Sequence, residues 1–453
     1  MPSLRQLALR GSIWTLLGFS TNQFLRLCSN LLLTRWLPRE FFGLMGLANT
    51  LVTGLDLFSD IGIAPSIVRS PRGDEPEFYN TAWTIQILRG VGIWVACCLL
   101  AWPAAQYFTT APELVWLLPT LGLSGVLLSF SSTALHTLAR RMVVGRIVLL
   151  KLCAQIASLA IMLVWARFNG TILALVLGSY VQALTLAFWS HRLLPHAVYE
   201  NHLAWEPEAL KELRSFGRWI FLSTALTFLA SQSDRLILGK LIPIGLLGVY
   251  SIAFTFADLP RQVLQRLSSA VIFPLVSKRA AEPRALLRFE LLAKRRWVVL
   301  GLAGLIAILS SSGDFLIQLL YDERYADGAW MLPVLALGLW PHVLSLTMSP
   351  ALLAIGEPRY MAFGNALKFA YMLAALPLCF RWFGITGAIV AVAFNDLPYY
   401  GTVGWGLARE GLSSWWQDAW ISCVLIGTIG LLFYIRAIAG WGLPLDRLVS
   451  NSI

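Results

Sequence analysis

The chain has 453 residues, of which 57% are hydrophobic and 13% are charged, and its formal net charge is +11. Soluble domains carry about a quarter charged residues, so this composition excludes an ordinary soluble globular protein and indicates a membrane protein. The longest polar connection, residues 193–216, is too short to fold as a soluble domain. We therefore expect the function to reside within the membrane-embedded part of the chain.

Apolar runs long enough to span a membrane recur along the whole chain. About 17 to 25 such residues cross the roughly 30 Å hydrocarbon core as a helix. The predicted spans, about thirteen in number, are 12–36, 41–64, 81–105, 114–137, 145–167, 171–192, 217–240, 245–276, 297–320, 329–355, 360–382, 385–408 and 416–436. The sequence therefore predicts an all-α, polytopic membrane protein with about 12 to 14 transmembrane helices. The first span is too long for a cleaved signal peptide and is expected to remain in the chain.

Basic residues are distributed unevenly between the two sides of these spans. If the N-terminus is cytoplasmic, the connections on that side hold about 20 Lys and Arg, seven of them in residues 278–296, against about 8 on the opposite side. The positive-inside rule therefore predicts a cytoplasmic N-terminus. The basic loops carry no recognition-module motif, so we expect contact with anionic membrane lipids rather than with nucleic acid.

Two segments of the chain resemble each other at an offset of 205 residues, which is 236 minus 31. When residues 31–48 are aligned with residues 236–253, Pro38 coincides with Pro243. Several Leu, Gly and Ala residues are also identical between the two segments. A chance resemblance between apolar helices is the alternative. Because six predicted spans separate the two copies, both copies enter the membrane in the same direction, which is typical of parallel repeats.

The repeat predicts two six-helix lobes around a central cationic cavity. We expect an N-terminal lobe at residues 1–196, a C-terminal lobe at residues 197–410, and an additional helix and tail at residues 411–453. Rocking of the two lobes would then open the cavity to each side of the membrane in turn.

Several basic residues fall inside predicted spans, where ionisable side chains are costly and usually face a cavity. With a helix rise of about 1.5 Å per residue, Arg26 and Arg235 lie towards the outer side and the others nearer the inner surface. Arginine offers paired donors and lysine a point charge to phosphate oxygens. We therefore expect a cavity that binds a phosphate or diphosphate head group through Arg26, Arg89, Lys151, Arg235, Arg261 and Lys368. Local pairing with Asp234 is the alternative for Arg235.

Residues 56–70 contain two acidic residues near the end of an apolar run. Asp56 lies about 8 Å from the inner surface by the helical rise, and we expect it to form a cavity salt bridge. Asp60 lies at the inner rim just before Gly62, where we expect a solvated or capping residue of an inner gate. Arg266 is placed at the same gate, with snorkelling to the rim as the alternative.

Two further acids lie within later spans. Asp258 and Arg261 are three residues apart on one helix face and are expected to pair. Asp396 lies near the middle of its span and has no charged neighbour close in sequence. Asp396 is either a proton or sodium site that couples transport to an ion gradient, or the partner of a cavity Arg or Lys. The sequence leaves both interpretations open.

The sequence lacks features that several enzyme classes require. It contains no Walker motif for ATP. Its largest outer loop, near residues 321–328, is too short for the catalytic loops of membrane glycosyltransferases, polymerases or ligases. The histidines within spans, His136 and His342, and the six cysteines have no metal or nucleophile spacing and are expected in core or lining roles. We therefore predict no catalytic residue, no metal site and no cofactor.

A set of motifs in a fixed order is similar to one known family. The motifs are 10-RGSIW-14, 58-FSDIGIAPSIVR-69, 78-FYNTAWTIQILRG-90, 140-RRMVVGR-146, 231-SQSDRLILGKLIPIGLLGVYS-251, 273-FPLVSK-278 and 321-YDERYADGAWMLP-333. Together they resemble the polysaccharide transporter (Wzx-like flippase) family of the multidrug/oligosaccharidyl-lipid/polysaccharide exporter superfamily. The resemblance runs from about residue 5 to about residue 400.

The resemblance implies transport of an undecaprenyl-diphosphate-linked oligosaccharide from the cytoplasmic to the outer leaflet of a bacterial inner membrane, for surface polysaccharide or exopolysaccharide biosynthesis. It also implies lipid-diphosphate contacts by cavity arginines, at the positions of Arg26, Arg89 and Arg235. The partners expected from it are the lipid-linked substrate, membrane lipids and a polysaccharide polymerase machinery. We expect a monomer that is not an enzyme.

Two other function classes remain as alternatives. A drug or small-cation exporter of the same superfamily would have an acidic or apolar cavity, and the embedded cations count against it. A membrane-embedded glycan polymerase or ligase would need larger outer loops than this sequence provides.

Overall fold

The computed structural model describes residues 4–141, 143–193, 201–268, 272, 276–277, 279, 282–444 and 446. Regular secondary structure in this part of the chain is helical, and no strand occurs in it. The predicted all-α class is thereby confirmed. The chain divides into two compact units, Met1–Phe228 and Leu229–Ile453.

The helices of the first unit follow one another with short connections. In chain order they are α1 (Leu4–Trp36), α2 (Arg39–Phe58), α3 (Ile63–Arg69), α4 (Pro76–Tyr107), α5 (Leu114–Ser129), α6 (Ala134–Arg140), α7 (Val144–Asn169) and α8 (Leu173–Ser190). A single 3-10 turn, Pro71–Asp74, joins α3 to α4. The next helix, α9 (Pro207–Leu241), begins in the first unit and continues into the second.

The second unit contains the end of α9 and the remaining helices. These are α10 (Ile244–Ala257), α11 (Leu259–Leu267), α12 (Arg284–Leu320), α13 (Gly328–Gly338), α14 (Trp340–Leu346), α15 (Ser349–Ala354), α16 (Arg359–Ala393), α17 (Leu397–Arg409) and α18 (Trp415–Ile438). A 3-10 turn, Glu323–Tyr325, lies between α12 and α13.

The two segments that resemble each other in sequence also have the same local structure. Pro38 precedes α2 with φ −59° and ψ 145°, and Pro243 precedes α10 with φ −57° and ψ 144°. The hydrogen bond from Leu37 N to Leu33 O recurs from Ile242 N to Leu238 O. Proline has a fixed φ and no N–H to satisfy, so it suits the start of a helix after a tight turn.

Several predicted spans are not single helices in the structure. The interrupted spans are 41–64, 114–137, 245–276, 329–355 and 385–408. Hydropathy does not detect these interruptions because the residues on both sides of each one are apolar. Proline marks some of them: Pro260 and Pro341 lie in the first turns of α11 and α14, where a missing N–H disrupts no helical hydrogen bond.

Helix α16 reverses direction at Gly384 although its secondary structure is continuous. Gly384 has φ 61° and ψ −147°, a conformation that glycine adopts without the cost of a Cβ. Tyr360 near the beginning of α16 lies with its ring centroid 5.5 Å from that of Trp405 in α17. The segment Arg359–Arg409 is therefore a hairpin of two antiparallel arms, which correspond to the predicted spans 360–382 and 385–408.

The helices are long and apolar enough for a protein that crosses a membrane repeatedly. By length and composition, 8 candidate spans are found in the described residues, with Arg359–Arg409 counted once. Large apolar side chains point away from the protein interior on many helices, including Leu99 at 74%, Phe168 at 80% and Leu319 at 82% exposed. In water such exposure would create large apolar patches, whereas in a bilayer these side chains contact lipid.

The last helix, α18, packs along α12 through two buried ion pairs. Near the beginning of both helices Arg295 Nη1 lies 2.6 Å from Asp418 Oδ1. Near the end of both helices Arg436 pairs with Asp314 at 2.7 Å. From the first ion pair to the second, the residue numbers increase along both helices. α12 and α18 therefore run in the same direction.

Candidate functional site

Three interrupted helices of the second unit meet at one cavity. The interruptions lie at Asp258 between α10 and α11, at Leu339 between α13 and α14, and at Asp396 between α16 and α17. All three residues line a polar cavity of about 30 Å³, which has room for about two water molecules. In membrane proteins, interrupted helices occur where the irregular backbone lines a cavity, and they often hold substrate or ion sites.

Two of these interruptions share a short sequence that the sequence analysis did not single out. FADLP at residues 256–260 and FNDLP at residues 394–398 both place an aspartate at the interruption and a proline in the first turn of the next helix. The proline prevents the preceding helix from continuing. Neither aspartate side chain caps its own helix, so both carboxylates are available to other groups at the cavity.

Asp396 accepts from two basic side chains, of which Lys368 lines the cavity. Its Oδ1 lies 2.6 Å from Lys368 Nζ and 3.0 Å from His342 Nδ1. Lys368 and Asp396 are both almost fully buried, at 5% and 6% exposed. Of the two interpretations left open for Asp396, pairing with a cavity lysine is the one the structure shows. Its second partner, His342, was expected in a core or lining role.

Asp258 and Arg261 form the ion pair that their spacing predicts. Arg261 Nε lies 2.5 Å from Asp258 Oδ1, although the N–H direction does not form a good hydrogen bond. The other carboxylate oxygen of Asp258 accepts from Gln262 Nε2 at 3.0 Å. Arg261, predicted as a diphosphate ligand, therefore has an acidic partner within its own helix turn.

Asp234 and Arg235 have separate partners rather than each other. The hydroxyl of Tyr250 donates to Asp234 Oδ2 in the protein interior. Arg235 donates to Gln232 Oε1 at 3.3 Å, and its guanidinium lies 5.5 Å from the centroid of the Phe254 ring. The alternative of a local Asp234–Arg235 pair is therefore not what the structure contains.

The positive and negative charges around the cavity of the second unit are equal in number. We call this group of charged side chains the second-unit network. In the described part of the chain it holds three carboxylates, of Asp234, Asp258 and Asp396, and three cations, of Arg235, Arg261 and Lys368. With His342 neutral, the network has no net charge. A carboxylate or ammonium that is buried with a partner avoids most of the cost of an isolated charge. Three predicted phosphate ligands thus lie in a network without excess positive charge.

In the first unit, Arg89 holds the end of α2. Its Nη2 lies 2.7 Å from Asp56 Oδ1 and also donates to the backbone carbonyl of Asp56. Its Nε donates to Ser59 Oγ at 3.1 Å. Arg89 thus forms the salt bridge that was expected for Asp56, and it satisfies carbonyl and hydroxyl groups at a helix terminus. The Asp56 side chain remains 54% exposed.

Asp60 caps the turn between α2 and α3. Its Oδ1 accepts from Gly62 N at 2.8 Å. Gly62 has φ 67°, in the left-handed region that favours glycine. A short acidic side chain that bonds to a backbone N–H two residues later is a common way to form a turn.

Arg26 on α1, Lys151 on α7 and Arg266 on α11 are exposed. α1 packs closely on α7, because a Cβ at Gly145 would lie 3.3 Å from the Trp14 ring. Arg26 and Lys151 therefore lie on neighbouring helices of the first unit. Unlike the cations of the second-unit network, both present their side chains at the surface of their unit.

The connection before α9 is attached to α4, which its polar composition did not predict. Backbone N–H groups of His202, Ala204 and Glu206 donate to side-chain oxygens of α4 at 3.0 to 3.2 Å. The acceptors are Asn80, Thr84 and Thr81, in that order. We call residues 201–206 the strap. Sequence patterns alone carry no signal for such pairing between a connection and a distant helix.

An ion pair secures the end of the strap outside the membrane-spanning segments. Arg72 Nη2 lies 2.6 Å from Glu206 Oε1, and Arg72 Nε lies 2.7 Å from Glu75 Oε2. These two carboxylates, Glu206 first, raise the pKa of the Arg72 guanidinium above its ordinary value. The 3-10 turn that contains Arg72 is thereby joined to the beginning of α9.

The sequence matches a protein family over most of its length. The family model described as "Polysaccharide biosynthesis protein" matches residues 32–329. The chain belongs to this family. The resemblance that its motifs predicted is therefore confirmed.

Three proteins with similar sequences are named for the biosynthesis of surface or secreted polysaccharides. The lipopolysaccharide biosynthesis protein WzxC of Escherichia coli (strain K12) is 23% identical over 280 residues, which cover 61% of this chain and 56% of WzxC. The chain thus spans little more than half of that relative's length. The teichuronic acid biosynthesis protein TuaB of Bacillus subtilis (strain 168) is 23% identical, with coverage of 77% and 71%. The succinoglycan biosynthesis transport protein ExoT of Rhizobium meliloti (strain 1021) is 21% identical, with coverage of 84% and 78%.

Solved structures of membrane transporters share the fold of this family member. The lipid II flippase MurJ in an inward closed conformation superposes with a TM-score of 0.69 at 12% identity, covering 94% of this chain and 92% of MurJ. An inward-facing MATE family transporter of the MOP superfamily gives a TM-score of 0.65 at 15% identity, with coverage of 85% and 94%. At such low identity, the likeness establishes the fold alone.

Proposed function

We propose that the chain flips an undecaprenyl-diphosphate-linked oligosaccharide repeat unit across the bacterial inner membrane, for surface polysaccharide or exopolysaccharide biosynthesis. The observation that carries the proposal is the family match over residues 32–329. Relatives named for lipopolysaccharide, teichuronic acid and succinoglycan biosynthesis support it, and one of them is named a transport protein. The chain would act as a transporter and not as an enzyme.

The proposed mechanism is alternating access between two lobes, at residues 1–196 and 197–410, with residues 411–453 as an additional helix and tail. The similarity of the turns at Pro38 and Pro243 supports a repeat of this kind. We place the N-terminus in the cytoplasm because that orientation puts the basic loop at 278–296 on the cytoplasmic side. The protein would work as a monomer beside a polysaccharide polymerase machinery.

Within this function, the two units would have different electrostatic roles. Arg26 and Lys151 on the first unit present exposed cations suited to phosphate oxygens. Arg89 would add donors from the same unit while Asp56 holds its position. The charge-balanced network of the second unit is better suited to ion coupling, through Asp258 and Asp396, than to binding a diphosphate by net charge.

Asp60 and Arg266 would form part of the inner gate. Asp60 fixes the turn after α2, and Arg266 lies in the last turn of α11 with an exposed side chain. A gate needs segments that change conformation at low cost, and short helices after interruptions meet that need.

Deletion of the gene tests the transport proposal directly. We expect a lipid-linked oligosaccharide to accumulate on the inner leaflet and surface polysaccharide to be lost. Lys151→Ala should reproduce that loss, whereas Arg167→Ala, at an exposed position near the end of the same helix, should restore normal output. Drug sensitivity without an accumulated lipid intermediate would favour the drug-exporter alternative and contradict the proposal.

A further inference from the structure

The imidazole of His342 has one hydrogen-bonded nitrogen and one buried nitrogen without a partner. Its Nδ1 lies 3.0 Å from Asp396 Oδ1, and because a carboxylate only accepts, Nδ1 carries the hydrogen. In the neutral ring, Nε2 then holds a lone pair. This nitrogen is buried and has no hydrogen-bond partner among the described residues. A buried acceptor in this condition is uncommon and requires an explanation.

Two interrupted helices fix the position of the ring. His342 lies in the first turn of α14, directly after the interruption at Leu339. Its ring stacks on Tyr399 of α17, with centroids 6.1 Å apart and planes inclined by 22°. Asp396, which accepts from Nδ1, lies at the interruption before α17. A change in the His342–Asp396 contact therefore acts on both interruptions.

The carboxylate that His342 contacts is already used by Lys368. One oxygen, Asp396 Oδ1, accepts from both Lys368 Nζ at 2.6 Å and His342 Nδ1. The other acidic and basic groups of the same network come from four helices. They are Asp234 and Arg235 from α9, Asp258 and Arg261 at α11, Lys368 from α16, and Asp396 and Tyr399 at α17. Each carboxylate among them has a donor.

We propose that Nε2 of His342 is a proton-binding site that controls how strongly the second unit attracts an anionic phosphate group. The inference rests on the proposed transport of a diphosphate-linked substrate. A proton from water adds to the Nε2 lone pair, an N–H bond forms, and the ring becomes an imidazolium. The charge of the network then rises by one, and imidazolium and ammonium compete for the same oxygen of Asp396.

The added charge favours an incoming anion. A net positive charge in a low-dielectric interior is costly without a counter-charge. Lys368 and Arg261 line the cavity, and Lys368 is the cation that shares its carboxylate with the imidazolium. Proton binding and anion binding therefore strengthen each other by the same factor. Anion affinity should therefore fall as the pH rises and Nε2 loses its proton.

Titration calorimetry on the full chain in lipid nanodiscs tests this linkage, with inorganic pyrophosphate as the probe. Experiments in two buffers with different ionisation enthalpies give the number of protons taken up with each anion. We expect the wild type to take up protons as the anion binds. His342→Asn should lose this uptake, because its amide can replace Nδ1 as a donor to Asp396 but has no group at the place of Nε2.

Further variants separate the proton site from general effects of substitution. His342→Gln should lose the uptake as well, which covers the case that the asparagine variant fails to fold. His191→Asn should keep it, because His191 belongs to the first unit and contacts the carbonyl of Phe130. Absence of pyrophosphate binding to the wild type, or unchanged proton uptake in both His342 variants, would overturn the proposal.

The outcome is distinguishable from failure of the transport proposal. If the deletion strain accumulates a lipid-linked oligosaccharide but the His342 variants retain proton uptake, the proton site is wrong and the transport function stands. If no lipid intermediate accumulates, the transport proposal is wrong, and with it the link between this proton site and a lipid-linked substrate.

Discussion

Arg436 and Asp314 form a two-pronged ion pair between α18 and α12. Arg436 Nη1 lies 2.7 Å from Asp314 Oδ1, and Nη2 lies 2.8 Å from Oδ2. The guanidinium also donates to the carbonyl of Ser311 and lies 4.3 Å from the centroid of the Phe315 ring. Arg436 is 4% and Asp314 6% exposed. Paired geometry of this kind orients both side chains and satisfies most of their hydrogen-bonding groups.

Breaking this ion pair should destabilise the second unit. Asp314→Asn leaves the Arg436 guanidinium buried without a counter-charge, which costs about 3–5 kcal/mol. Thermal unfolding of the purified protein in detergent should therefore begin at a lower temperature. Glu357→Gln removes a partner of Arg359, which is 67% exposed, and should change stability by less than about 1 kcal/mol. Equal shifts for both variants would contradict the role of burial.

The direction of α18 predicts where the segment after it lies. Because α18 runs parallel to α12, its end lies on the side opposite the basic residues 278–296. In a background without native cysteines, Leu443→Cys should react with an impermeant maleimide from the same side as Glu323→Cys. Leu286→Cys should react from the other side. Labelling of Leu443→Cys and Leu286→Cys from one side would refute the parallel arrangement.

The close approach of α13 to the end of α16 predicts a harmful glycine substitution. A Cβ at Gly338 would overlap the carbonyl oxygen of Ala393, so Gly338→Ala must displace two of the interruptions at the cavity. We expect loss of polysaccharide output and a destabilisation of about 1–3 kcal/mol. The matched control is Gly301→Ala in α12, where a Cβ meets nothing within 4 Å and helix propensity favours alanine. Wild-type behaviour of Gly338→Ala would contradict this packing.

The strap should become accessible when its anchor on α4 is removed. Asn80 is fully buried and accepts from His202 N, so Asn80→Ala leaves buried polar groups without a partner, at a cost of about 1–3 kcal/mol. Limited proteolysis should then cleave near residues 201–206 faster than in the wild type. Asn169→Ala, at an exposed position, should not change the cleavage rate. Protection equal to the wild type in Asn80→Ala would show that the strap is held by other contacts.

The parts of the site that the sequence could predict depend on local geometry. Asp258 and Arg261 were paired from their three-residue spacing, and a salt bridge was expected for Asp56 from its depth along a straight helix. Both inferences use only the helical rise and the cost of buried charge, and they left open which cation pairs with Asp56. The same reasoning predicted the helical segments, because their apolar length is set by the membrane.

The remaining parts depend on contacts between distant residues. His342 and Asp396 are 54 residues apart, and neither lies in a pattern that relates them. The interruptions that bring them together have apolar residues on both sides, so the mean hydropathy of the whole span does not reveal them. A usable signal did exist in the repeated FxDLP sequence at 256–260 and 394–398, because an aspartate followed by proline within a span predicts both an interruption and a polar group at it.

The hairpin at Gly384 has a consequence for biosynthesis. The two arms are joined directly at Gly384, with no loop between them. We therefore expect them to enter the bilayer close together in time. A lysine at the centre of a single inserting helix costs about 2.5 to 3.5 kcal/mol, and Lys368 would impose that cost on the first arm alone. The second arm brings Asp396 to within 2.6 Å of the ammonium. The translocon would therefore release both arms into lipid together, with this ammonium and carboxylate paired, so that synthesis of the second arm completes insertion of the first.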